Sequence, residues 1–95
     1  MRKYEITYIL APELSDEAVA AKIDEYKGII EKDGGTIVKI DNLGKRRLAY
    51  EINKKAEGFY VVMRFDAESA AAEEVRRVMK NSDDVLRSLL VCAEY

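Results

Sequence analysis

An α+β fold is predicted by three features of the sequence. Segments with a two-residue apolar period alternate with segments whose apolar residues fall three and four apart, and their order is strand, helix, strand, strand, helix, strand. That βαββαβ order belongs to the ferredoxin-like split βαβ sandwich, a four-stranded antiparallel sheet with two helices on one face. The chain has 95 residues, 48% apolar and 36% charged, which suits one modest core, and residues 1–95 read as a single domain.

Residues 3–10 open the pattern, with Tyr4, Ile6, Tyr8 and Leu10 on one face and Lys3, Glu5 and Thr7 on the other. Pro12 ends this strand, since it has no N–H for a ladder. Ser15 supplies an N-cap hydroxyl, and Asp16 and Glu17 place negative charge where the helix dipole favours it. Val19, Ile23, Tyr26 and Ile30 then form the apolar stripe of a helix over 16–32, which Gly34-Gly35 terminates. Tyr26 reads as core.

Thr36 to Leu43 forms the second strand, Gly44 marks a bulge or bend, and the pattern resumes with Leu48, Tyr50 and Ile52 on one face. Residues 53–58 read as a turn, followed by a third strand with Phe59, Val61, Met63 and Phe65 alternating. Asp66 or Ser69 is expected to cap a second helix, with Ala71, Val75, Val78 and Met79 inward and Glu73, Glu74, Arg76, Arg77 and Lys80 outward. Residues 81–84 make a polar turn, and Val85 to Cys92 is a strongly apolar fourth strand. With helices on one face only, Ile9, one of Ile37 and Val38, Val62 or its neighbours, and alternate members of Leu89-Leu90-Val91 must point the other way. So apolar an open face is expected to dock a protein partner.

Several classes of chemistry are excluded or disfavoured. Histidine is absent, which removes the usual general base and zinc ligand. Cys92 is the single cysteine, so no internal disulfide or paired-cysteine metal site exists, and it is expected in the core. Asp83-Asp84 lacks a third ligand and reads as a turn; Gly34-Gly35 closes a helix and opens a strand, the reverse of a phosphate loop. No apolar run approaches the roughly 20 residues that span a bilayer, and Arg2 and Lys3 lead into a strand with no cleavage site. No enzyme, metal, cofactor, small-molecule substrate or membrane partner is expected. The third strand keeps Gly58, Phe59 and Val62 of the RNA-recognition-motif pattern but departs from it at Glu57, Tyr60, Val61 and Arg64, so base stacking on the sheet is not expected.

Charge is unevenly distributed. The formal net charge is −2, yet Lys39, Lys45, Arg46, Arg47, Lys54 and Lys55 against Asp41 and Glu51 make residues 39–55 net +4. The remainder therefore carries −6, so any phosphate-binding surface is local. Lys45-Arg46-Arg47 cannot be buried in a strand whose register is held by Leu48, Tyr50 and Ile52; they belong at a wet edge or on a partner. A solvated hairpin tip accounts for the same charge.

The opening Met1-Arg2-Lys3-Tyr4-Glu5, the run Gly44-Lys45-Arg46-Arg47-Leu48-Ala49-Tyr50-Glu51-Ile52 and Ser82-Asp83-Asp84-Val85-Leu86-Arg87 closely resemble the bacterial small-subunit ribosomal protein six family, over essentially the whole chain. Leu43 departs from the tryptophan that many members carry before the glycine, and no acidic tail follows Tyr95. The resemblance implies a structural protein of the small ribosomal subunit that binds small-subunit rRNA as a heterodimer with ribosomal protein eighteen. It implies a role in assembly of the central domain, or platform, and in translation, hence a cytoplasmic location on the ribosome. It places rRNA or partner contacts at Lys45, Arg46 and Arg47, with Arg2, Lys3, Lys54, Lys55 and Arg87 as further members. The alternative is a regulatory or homodimeric ferredoxin-like interaction domain that binds no RNA.

Overall fold

The structure, a computed structural model, describes residues 1–92. The elements are β1 (Arg2–Leu10), α1 (Asp16–Lys32), β2 (Thr36–Ile52), β3 (Lys55–Ala67), α2 (Ser69–Lys80) and β4 (Val85–Cys92). The strands form one antiparallel sheet in the order β2-β3-β1-β4. The helices cover one face, as the sequence predicts.

That face is fixed by the two-residue period of each strand. Tyr4, Ile6, Tyr8 and Leu10 of β1 lie beside Phe59, Val61, Met63 and Phe65 of β3, and Val19, Tyr26, Ile30, Ala71, Ala72, Val75 and Met79 of the helices close over them. Tyr8 and Tyr26 meet edge to face at 5.3 Å between ring centroids, a favoured aromatic geometry. Tyr4 stacks on Phe65.

Local chemistry sets the helix ends. The Ser15 hydroxyl accepts the Ala18 N–H at 3.1 Å, and Asp16 and Glu17 occupy the first turn of α1. At the other end Gly35 N–H donates to the Ile30 carbonyl and Gly34 N–H to that of Glu31, with Gly34 at φ +85°. These nested bonds make a Schellman cap, which needs the left-handed residue that glycine supplies without strain.

Three expectations need correction. The N-cap of α2 is Glu68, which makes no side-chain capping bond; Asp66 is still paired in β3 and Ser69 is already helical. The turn between β2 and β3 is only Asn53-Lys54, both at positive φ, a two-residue hairpin loop of the type that matches strand twist. Lys55 to Gly58 therefore belong to β3, not to the turn. Cys92 is exposed, because it ends β4, an outer strand whose far edge no neighbour covers.

Candidate nucleic-acid and partner interface

The last residue of β1, Leu10, pairs with Phe59, so everything in the β2–β3 hairpin beyond Lys45 and before Phe59 projects past the central strand as an arm. The pairs Lys45 with Phe59, Arg46 with Gly58, Arg47 with Glu57 and Ile52 with Lys55 hold the arm together. The register shifts between Asn42 and Gly44 and again between Arg47 and Ile52. Gly44 is the expected bulge: it takes φ +80°, and its N–H donates to Asn42 Oδ1 at 3.0 Å.

The bulge determines how the three adjacent cations are presented. All three are exposed, and strand alternation sends Lys45 and Arg47 to one side of the arm and Arg46 to the other. Lys45 Nζ lies 5.3 Å from the centroid of the Phe59 ring, within cation–π range. Arg46 Nε donates to the Leu43 carbonyl at 3.3 Å, a bond that does not use the terminal guanidinium nitrogens. Leu48 is buried and Ile52 half-buried, whereas Tyr50 is 64% exposed, so the expected apolar anchor of Leu48, Tyr50 and Ile52 fails at Tyr50.

Tyr50 anchors by its hydroxyl instead. The Arg87 guanidinium donates to Tyr50 Oη at 2.6 Å, although β2 and β4 are the two outer strands of the sheet. The arm must therefore curl across the end of β1 to reach β4. On the helix-covered side Lys55 Nζ meets Glu13 Oε2 at 2.7 Å. That bond holds the Glu13 carboxyl below its usual range, foremost by the hydrogen bond from Lys55 and with a smaller contribution from the charge of Lys45. Gly58 permits the crossing. A Cβ there would overlap Ile9 Cγ2 and sit 3.0 Å from the Leu10 carbonyl oxygen, and the close approach leaves Ile9 buried although it points away from the helices.

Of the cations singled out in the sequence, Lys45, Arg46, Arg47, Lys54, Lys55 and Arg87 thus gather at the arm end of the sheet. Arg2 and Lys3 do not: they pair with Ala67 and Asp66 at the far end of β1, roughly 25 Å away along nine residues of strand. There Lys3 lines a shallow depression with Glu5, Val38, Arg64 and Asp66, where Arg64 is ion-paired with Glu5 at 3.3 Å. The contacts made by Tyr50, Glu13 and Gly58 escaped sequence reasoning. Their partners lie tens of residues away, and no periodicity marks such contacts.

The open face carries Val38, Val62, Leu89 and Val91, as the pattern requires, with Val38 62% and Leu89 61% exposed. Charged residues divide it, among them Lys39 paired with Asp41 at 3.7 Å. Among the described residues no group of three acidic, cysteine or histidine side chains is placed to hold a metal ion. The arrangement is that of a contact surface, with fixed cations beside an incompletely covered sheet.

Comparison with known proteins gives a consistent result. A family model described as ribosomal protein S6 matches residues 3–92. The chain is 50% identical over 91 residues to small ribosomal subunit protein bS6 of Desulforamulus reducens, covering 96% of each chain. It is 43% identical over 94 residues to the bS6 protein of Clostridium botulinum strain Loch Maree, covering 99% of this chain and all of that one. The fold superposes on the crystal structure of 30S ribosomal protein S6 from Thermotoga maritima with a TM-score of 0.90 and 30% identity, covering 96% of this chain and 86% of that one.

Proposed function

The chain belongs to the ribosomal protein S6 family, a structural, non-enzymatic component of the small ribosomal subunit, and from that premise we propose that it binds small-subunit rRNA as a heterodimer with ribosomal protein eighteen. The pair acts in assembly of the central domain, and this chain's contribution is a cationic arm set beside an open sheet face. The observation that carries the reading is the pre-set arm: Lys45, Arg46 and Arg47 are exposed and held on paired strand by the Gly44 bulge and the pairing with β3. Cations fixed in this way lose little freedom on meeting phosphate.

The overall charge argues for a partner. A body of net charge −2 attracts a polyanion weakly, so a basic protein seated on the open face supplies the missing attraction while covering Val38, Leu89 and Val91. Binding of the central-domain rRNA is accordingly expected to be weak for the chain alone and tight with ribosomal protein eighteen, the logarithm of affinity falling linearly with the logarithm of salt concentration. Titrations at several salt concentrations, with and without that partner, test it; equal affinity in both arms defeats the cooperative reading.

A further inference from the structure

We propose that Tyr50 and Arg87 are a positioning pair that docks the cationic arm across the end of the sheet, so that Arg87 acts through the arm and not as a phosphate ligand. The inference rests on the rRNA-binding reading and refines it. Three independent contacts place the arm. Tyr50 on one outer strand takes a hydrogen bond from Arg87 on the other at 2.6 Å. Lys55 meets Glu13 on the opposite side of the arm at 2.7 Å. Gly58 lets the arm's base lie against Ile9 and the Leu10 carbonyl, where a Cβ has no room.

Each contact alone is modest, but together they flank the run from Lys45 to Arg47. An isolated two-stranded ribbon is marginally stable in water, and this one carries net positive charge whose self-repulsion favours splaying. Tying its tip to β4 converts a mobile ribbon into a fixed set of cations. Arg87 is suited to the task, since its guanidinium stays charged and offers several donors in a rigid fork. Using one of them on Tyr50 orients the whole group along the arm.

The pair is separable from a direct phosphate contact because the two respond differently to salt. Tyr50→Phe removes one hydroxyl at an exposed position and leaves every charge in place. It is expected to raise amide hydrogen exchange across residues 45–57 of the free protein severalfold. It should also lower rRNA affinity in the presence of ribosomal protein eighteen about threefold to tenfold, with the salt slope unchanged. Arg87→Lys should match it, and the double variant should be no weaker than either single one, as expected of two residues acting as one unit. Arg46→Ala is the contrast: it should reduce the salt slope by about one. Wild-type exchange and wild-type affinity in Tyr50→Phe would overturn the inference, as would a loss of about one in slope for Arg87→Ala. Absence of rRNA binding by the wild-type pair of proteins overturns instead the functional reading beneath it.

Discussion

Tyr8 brings a hydroxyl into the core beside Tyr26, and among the described residues that hydroxyl finds no hydrogen-bond partner. Burial raises the Tyr8 phenol well above its ordinary value, with the neighbouring Tyr26 adding to the shift. The neutral form is the one the fold holds, so this contribution to stability is complete below the ordinary phenol range and is lost as pH rises beyond it. A buried unpartnered hydroxyl costs about 1–3 kcal/mol, whereas the ring itself fills space beside Tyr26. Tyr8→Phe is therefore expected to stabilise the protein by about 1 kcal/mol, read as a higher urea midpoint with unchanged slope. Glu13 gives the opposite sign. Its carboxyl is lowered by the hydrogen bond from Lys55, so the contact is intact above the usual carboxylate range and lost as pH falls through the lowered value. An NMR titration should place the Glu13 midpoint lower in the wild type than in Lys55→Ala; equal midpoints would mean the bond is absent in solution.

The elements show which features a linear pattern can carry. Helix α1 begins and ends where Ser15 and Gly34-Gly35 place its caps, and β1 and β4 run as their composition indicates, because these signals lie within a few residues of what they control. The hairpin was only half legible. Gly44 announced the bulge, but the two-residue turn at Asn53-Lys54 was obscured by a polar stretch that continues to Gly58, and Lys54 takes a positive φ that its residue type does not advertise. Nothing local pairs Tyr50 with Arg87 or Lys55 with Glu13, and the cap of α2 falls on Glu68, a residue with little capping preference. The same gap hid Gly58, whose significance is the surface of Ile9 and not its own backbone angle. Gly58→Ala is expected to destabilise the protein by about 1–3 kcal/mol and to loosen the arm first. Thermal melting together with arm amide exchange measures both, and an unperturbed melt would show that Ile9 can move aside.

At the scale of the molecule, apolar residues divide by face. Those facing the helices build the core, whereas of those facing away Val38 and Leu89 remain largely exposed and Ile9, beneath the arm, is the buried exception. Leu89→Thr keeps a strand-compatible side chain while removing apolar surface, so unfolding should move by no more than about 0.5 kcal/mol. If the proposed partner seats on this face, affinity for ribosomal protein eighteen should fall several-fold in isothermal titration; unchanged affinity would count against this docking face. The strand order has a consequence for how the chain is made. The middle of the sheet is occupied by β1, the first strand to be synthesised, yet its two neighbours are β3 and β4, and Tyr4 finds its partners only at Phe65 and Cys92. Helix α1 and the hairpin of β2 with β3 close through contacts near in sequence, whereas the opening strand pairs only across long loops whose closure is slow. During synthesis a strand that supplies Ile6, Tyr8 and Leu10 to the core thus emerges first and is enclosed last. A truncated chain lacking residues 85–92 would leave that strand with one bare edge, which makes the final eight described residues the step that closes the sheet around its own beginning.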